Sequence, residues 1–169
     1  MSKKRLIIVI VIILIMGLLL LTYLLTNGME RIKNVSAVLF VNGKRIEEPA
    51  IIYWYDYSAL AEFPLFSTLE ALGCQIKQDE SGESLDTIIR VGEREFVVHQ
   101  GKYSSDLYEN GQIVCSDVAR PCGKRWTGPL CMDGRNCEKV LTLLGYDHIS
   151  FTINEEDRII ELTATQNSK

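Results

Sequence analysis

The chain has 169 residues, of which 47% are hydrophobic and 24% are charged. This balance is typical of a folded protein, and the length suffices for a compact domain with its own core. The formal net charge is −4, and because a surface rich in carboxylates repels phosphate groups, the composition argues against nucleic acid and anionic lipid as partners.

An apolar stretch without charges covers residues 6–25 and follows a short basic tail, residues 1–5. About 20 helical residues at ~1.5 Å each match the roughly 30 Å hydrocarbon core of a bilayer. We therefore predict a transmembrane signal-anchor helix over 6–25, with the basic tail in the cytoplasm. The protein is then a single-pass cell-membrane protein with an extracytoplasmic C-terminal part. The alternative is a cleaved signal peptide, but no A-x-A-like site follows residue 25 directly.

Beyond a polar linker, residues 26–36, the chain contains two copies of one pattern. Residues 69–74, Leu-Glu-Ala-Leu-Gly-Cys, return at 141–146 as Leu-Thr-Leu-Leu-Gly-Tyr. Each copy also has an Asn-Gly pair, at Asn42 and at Asn110, which is a strong signal for a tight turn. We predict an exported domain over 37–165, with repeat one at 37–101, repeat two at 102–165 and a tail at 166–169.

Both repeats contain a short helix with one apolar stripe. The stripe is spaced i, i+3, i+4 and i+7, and a glycine follows it in each copy as a C-terminal stop. Pro64 suits the first helical position of one helix, and Asp133 suits the N-cap of the other. The stripe residues are Leu65, Thr68, Leu69 and Leu72 in repeat one, and Cys137, Val140, Leu141 and Leu144 in repeat two.

Strand patterns follow each helix, at 86–91 and 94–99 in repeat one and at 157–162 in repeat two. A helix with a single apolar face cannot bury itself alone. We therefore predict an α+β fold in which two β-helix-β-hairpin repeats share a core and an antiparallel sheet wraps on the short helices.

These motifs resemble the copper amine oxidase N-terminal-like domain, also called the stalk domain, of exported Gram-positive bacterial proteins. The matching stretches are Val-Asn-Gly-Lys at 41–44, Pro-Leu at 64–65, Leu-Glu-Ala-Leu-Gly at 69–73 and, less closely, Leu-Leu-Gly-Tyr at 143–146. Repeat two departs from the family at Asn136, where proline is usual, and in its cysteines. The resemblance implies a spacer or interaction module. It implies neither copper nor oxidase activity, because the family name refers to an accessory domain.

All five cysteines follow the apolar stretch, and exported proteins retain disulfides. Four of them are spaced C-x6-C-x8-C-x5-C, unlike the close pairs that bind structural zinc. We predict two disulfides within this set, worth about 2–4 kcal/mol of stability: Cys115, Cys122, Cys131 and Cys137. Cys74 follows the helix-ending Gly73, and we expect a free, buried thiol there.

The segment 51–57 is rich in aromatic residues and reads as a strand. We predict that it contributes to an interaction surface made of Tyr53, Trp54, Tyr55, Tyr57 and Trp126. Tyr55-Asp56-Tyr57 resembles the quinone-forming site of amine oxidases only superficially, because Trp54 replaces the asparagine of that site. The two histidines are too few for its copper. We expect no catalytic residue, no metal and no cofactor.

These features predict a membrane-anchored, extracytoplasmic, non-enzymatic module that binds another envelope protein or a wall component. The alternative from another class is a small exported enzyme or metal-binding protein that uses the cysteine-rich repeat two and His148. A third hypothesis is a purely mechanical spacer, in which surface aromatic residues contribute nothing beyond stability.

Overall fold

The computed structural model describes residues 15–19, 21–22, 34–55, 58–78, 86–101, 103–121 and 129–166. In repeat one the strands are β1 (Asn34–Val41), β2 (Lys44–Arg45), β3 (Ala50–Tyr55), β4 (Ser58–Pro64), β5 (Gln75–Gln78), β6 (Asp86–Val91) and β7 (Arg94–Gln100). In repeat two they are β8 (Ser105–Glu109), β9 (Gln112–Pro121), β10 (Leu130–Asp133), β11 (Tyr146–Asn154) and β12 (Ile159–Gln166). The helices that pack on these strands are α1 (Leu65–Ala71) and α2 (Gly134–Leu143).

The strands form one twelve-stranded mixed sheet. Its order is β11-β12-β1-β3-β4-β10-β9-β8-β7-β6-β5, and β2 pairs with β1 outside this path. The two halves of β1 have different neighbours, since residues 34–37 pair with β3 and residues 38–41 pair with β12. The β1–β12 pair is parallel. The first and last strands of the described domain are therefore side by side.

A single core contains side chains from both repeats. Burial alternates along the strands, as a sheet with one covered face requires. Leu39 and Val41 of β1 are fully buried, and so are Ile160 and Leu162 of the neighbouring β12. The same face of the sheet is covered by the apolar stripes of the two helices.

Both helices lie where their stripes predict. Three stripe residues of α1 are buried within the helix, and Asp133 caps α2 by accepting a hydrogen bond from the backbone N–H of Arg135 at 2.9 Å. Gly73 and Gly145 follow the helices with φ of +95° and +91°, a conformation that glycine adopts without the strain imposed on other residues. The glycine stops and the Asp133 cap are confirmed, whereas Pro64, predicted at the first helical position, ends β4 and is the N-cap of α1.

The predicted α+β architecture, with an antiparallel sheet wrapped on helices, is wrong. One large mixed sheet dominates the fold. The helices have only 7 and 10 residues, and each buries a single stripe, so strands supply most of the core. Local apolar spacing locates a helix, but it does not specify which distant strands pair. The parallel β1–β12 pair is therefore a finding of the structure.

The predicted membrane helix is also corrected. Within the part of the chain that the structure describes, no helix is both long enough and apolar enough to cross a bilayer. Of the predicted span, residues 6–14, 20 and 23–25 lie outside the described residues. The predictions of a signal-anchor helix over 6–25 and of a single-pass membrane localisation are therefore contradicted.

Candidate functional site

The cysteines predicted to form two disulfides are arranged differently. Cys115 and Cys137 are free and buried, so the prediction of two bridges is wrong. Cys131 is disulfide-bonded, and Cys122 lies outside the described residues. Cys74 is free and buried, as predicted.

Cys115 and Cys137 form no disulfide because their thiols are packed in the core. Cys137 is 0% exposed within the stripe of α2, and Cys115 occupies a buried position of β9. Burial raises the pKa of Cys137 to about 12. A thiol that stays protonated at neutral pH is a poor nucleophile and a poor metal ligand. Cys137 therefore acts as a small apolar core residue.

Cys74 and Tyr146 occupy equivalent positions in the two repeats, and they meet in the core. Cys74 Sγ and Tyr146 Oη are 3.2 Å apart, and the Tyr146 hydroxyl donates to the Leu72 carbonyl at 3.0 Å. Because the phenol has only one proton, the Cys74 thiol is the donor in its contact with Tyr146. Burial raises the pKa of both groups, which keeps them protonated. This junction joins the end of α1 to the start of β11.

The predicted aromatic surface is divided between the two faces of β3. Tyr53 donates to Asp133 Oδ2 at 2.9 Å, whereas Trp54 Nε1 donates to Glu155 Oε2 at 2.7 Å. Successive strand residues point to opposite faces, so Tyr53 and Trp54 do not belong to one surface. The remaining members lie outside the part of the chain whose side chains are described: Tyr55, Tyr57 and Trp126.

A polar network covers the junction of β3, β4, β10 and α2. Asp133 accepts hydrogen bonds from the Tyr53 hydroxyl at 2.9 Å and from the Arg135 guanidinium at 2.6 and 3.0 Å. Arg120 of β9 pairs with Glu62 of β4, with its Nε donating to Oε1 at 3.0 Å. The register of β4 and β10 places Glu62 opposite Asp133. The two carboxylates are therefore neighbours, and each has its own arginine.

Four side chains of this network have shifted pKa values, and each pKa moves away from neutral pH. Burial and the bond to Asp133 raise the pKa of Tyr53 to about 12. Burial disfavours the Asp133 carboxylate, but the bonds from Arg135 and Tyr53 outweigh it and lower the pKa of Asp133. Hydrogen bonds to the carboxylates raise the pKa of Arg135 and of Arg120. Since general acids and bases work best with pKa values near the operating pH, these four groups suit a structural role.

A cleft of about 340 Å³ borders the network. The two arginines in its lining, Arg120 and Arg135, are paired with carboxylates of the same face. An anion would have to break those pairs to bind there. We therefore assign this cleft no ligand.

The outward face of strands β6 to β9 carries a row of apolar side chains. Ile88 pairs with Val97, Val97 with Tyr108, and Tyr108 with Ile113. Directly paired residues of antiparallel strands point to the same face, so the four side chains are continuous across four strands. Ile113 is 54% exposed, and the other three are half-buried. We call these four residues the apolar row.

Charged residues flank the apolar row on both sides. On one side Asp86 pairs with His99, and His99 pairs with Asp106. The distance between His99 Nδ1 and Asp86 Oδ1 is 2.5 Å. On the other side Arg90 forms an ion pair with Glu95 at 2.8 Å. A hollow of about 480 Å³ lies on this face, and its lining includes Asp86, Glu95, Val97, His99 and Tyr108.

Both histidines, His99 and His148, are exposed on the sheet. His99 faces outward with its ring edge-to-face on Tyr108 at 6.4 Å, whereas Cys74 is in the core. His148 is exposed on β11 with φ of +49°. Among the described residues there is no group of three or more His, Cys, Asp or Glu side chains that could hold a metal ion.

Sequence reasoning missed the apolar row. Alternation within β6 and β7 was a visible signal, but a row across strands also depends on their register, and register involves residues distant in the chain. Comparison with protein-family models, curated proteins and solved structures found no match to this chain.

Proposed function

We propose that this chain is a non-enzymatic interaction module that binds another protein through the apolar row. The observation that carries the proposal is the register that aligns Ile88, Val97, Tyr108 and Ile113 on one outward face. Partly exposed apolar side chains that adjoin one another on one face are typical of interaction sites. A partner that covers the row removes apolar area from water, which contributes roughly 25 cal/mol per Å² before the costs of association.

Two further features support binding over catalysis. The resemblance to stalk domains implies a spacer or interaction module. The shifted pKa values of Tyr53, Asp133 and Cys137 lie away from the range in which a side chain exchanges protons at neutral pH. A purely mechanical spacer, in contrast, gains nothing from an aligned apolar row.

Site-specific crosslinking tests the proposal. A photoreactive amino acid is placed at Ile113 of the full chain, which is then expressed in its native cells. The matched control carries the same group at Thr152, an exposed position of β11. We expect a discrete crosslinked protein from position 113 and none from position 152. Equal crosslinking at the two positions, or none at 113, would refute the proposal.

A second variant separates specific binding from nonspecific crosslinking. With the photoreactive group at Tyr108, an Ile113→Asp substitution places a charge in the apolar row and should abolish the crosslink. Thr152→Asp adds the same charge outside the row and should leave the crosslink unchanged. Circular dichroism of both variants checks that the fold is retained.

A further inference from the structure

The Asn-Gly turns at Asn42 and at Asn110 differ in what holds the asparagine side chain. The Asn42 carboxamide is bonded twice to β12, since Nδ2 donates to the Ala164 carbonyl at 2.8 Å and Oδ1 accepts from the Ala164 N–H at 3.1 Å. The backbone N–H of Asn42 also donates to the Leu162 carbonyl at 2.9 Å. Three hydrogen bonds therefore hold this asparagine to β12.

Asn110 lies at the tip of the β8–β9 hairpin and is exposed. Within the part of the chain that the structure describes, its carboxamide forms no hydrogen bond. The ladder close to this turn is irregular, because its register shifts between Leu107 and Tyr108, and such irregularities weaken strand pairing locally. Opening this turn therefore breaks no bond of the asparagine side chain, in contrast to the turn at Asn42.

We propose that Asn110 is a site of spontaneous deamidation and that the product places a new carboxylate beside the apolar row. The Gly111 nitrogen attacks Cγ of Asn110, so a bond forms between these two atoms and the bond from Cγ to Nδ2 breaks. Nδ2 leaves as ammonia with the proton of the Gly111 N–H. The cyclic imide then takes up water and opens to aspartate or isoaspartate. Glycine favours the attack because it has no Cβ beside the nitrogen.

Side-chain bonds, rather than the backbone, distinguish the two turns. Both asparagines have the left-handed conformation of Asn-Gly turns, with φ of +48° at Asn42 and +51° at Asn110. Each hydrogen bond to Ala164 lowers the population of the unbonded Asn42 carboxamide roughly fivefold. Two such bonds make Asn42 react at least about tenfold more slowly than Asn110.

The product changes the charge of the hollow beside the apolar row. Asn110 and Gly111 line that hollow together with Val97 and Tyr108, which belong to the row. Deamidation adds one negative charge to the formal net charge of −4. A partner that covers the row then also covers a carboxylate, which weakens binding unless a cation pairs with it. This consequence for binding rests on the proposed function, whereas the modification itself does not.

Peptide mass spectrometry of the full chain tests the modification. The protein is incubated in mildly alkaline buffer, once native and once in concentrated urea, and samples taken over time are digested with trypsin. Cleavage after lysine and arginine places Asn42 and Asn110 on separate peptides, each with a single Asn-Gly pair. A third pair, Asn27-Gly28, lies outside the described residues and falls on a further peptide.

In the native protein we expect the Asn110 peptide to deamidate at least about tenfold faster than the Asn42 peptide. In urea the two rates should become similar, because the bonds to Ala164 are lost. Equal rates in the native protein, or a faster reaction at Asn42, would overturn the inference. So would an Asn110 peptide that stays unmodified in the native protein while the same peptide reacts in urea.

Crosslinking from position 113 tests the effect on the apolar row. Asn110→Asp reproduces the aspartate product and should reduce the crosslink, whereas Thr152→Asp adds the same charge outside the row and should not. Equal crosslinking in the two variants would refute the effect on binding. If the unmodified protein gives no crosslink, the proposed function and this effect fail together, and the deamidation rates still decide whether Asn110 is modified.

Discussion

Replacement of Tyr146 by phenylalanine tests the junction between the two repeats. The substitution keeps the aromatic ring in the core and removes only the hydroxyl. That hydroxyl donates to the Leu72 carbonyl at 3.0 Å and accepts from the Cys74 thiol at 3.2 Å. Tyr146 is 1% exposed, so water has little access to replace the lost partner.

The expected loss of stability follows from the Leu72 carbonyl, which the substitution leaves without a hydrogen-bond donor. The net contribution of a hydrogen bond is about 1 kcal/mol, and a buried carbonyl without a partner costs about 1–3 kcal/mol. The thiol is a weak donor and adds little. We expect Tyr146→Phe to lower the free energy of unfolding by about 1.5–3 kcal/mol. For a domain of this size, that corresponds to a fall in Tm of roughly 5–10 °C.

Urea unfolding followed by circular dichroism measures this change. The midpoint should fall while the m-value stays constant, because the same surface is exposed on unfolding. Tyr108→Phe is the matched control, since Tyr108 is half-buried on the outward face and should change stability by less than about 0.5 kcal/mol. A Tyr146→Phe protein as stable as the control would refute the role assigned to the junction.

Three further predictions concern the Asp133–Arg135 ion pair, the reactivity of the Cys137 thiol and the glycines that end the helices. Asp133→Asn should cost about 1 kcal/mol at pH 7 through the loss of the ion pair with Arg135. The folded-state pKa of Asp133 is lowered, so the stability from the ion pair is present above the ordinary pKa of an aspartate and is lost as the pH falls through the folded value. The urea midpoints of wild type and Asp133→Asn should therefore begin to converge below about pH 4. A difference between the two midpoints that does not depend on pH would contradict this. Burial and a pKa of about 12 should protect Cys137 from iodoacetamide at about pH 8 in the native protein. Unfolding should make the thiol reactive, and mass spectrometry can detect the modification. Rapid modification of the native protein would be inconsistent with the core position of Cys137. Gly73→Ala and Gly145→Ala should each lower the stability of the protein in thermal unfolding by about 1 kcal/mol, because both glycines have positive φ. Asparagine should be tolerated better than alanine at these positions. A stabilising alanine substitution would argue against the positive-φ conformation.

Several local features were predictable from the sequence. The stripe of α1, the glycine that ends each helix and the Asp133 cap all depend on residues within one or two helical turns. The Asn42-Gly43 and Asn110-Gly111 turns have positive φ at both residues, as the Asn-Gly signal predicts. The division of Tyr53 from Trp54 was also predictable, because strand alternation alone separates them.

Other features needed contacts between distant residues. The cysteine spacing predicted two disulfides, but the buried positions of Cys115 and Cys137 were decided by what packs around β9 and α2. The apolar row needed the pairing of four strands, of which the sequence shows only the separate alternations.

The sequence by itself determined the two helices, their ends, the tight turns and the repeat that makes Cys74 and Tyr146 equivalent. These features are encoded by interactions across a few residues, where apolar spacing and backbone preference act directly. Only the tertiary structure decided that the strands join into one mixed sheet through the parallel β1–β12 pair. It also decided which alternating residues face outward together. Strand pairing is non-local, and a shift of one residue moves every side chain to the opposite face.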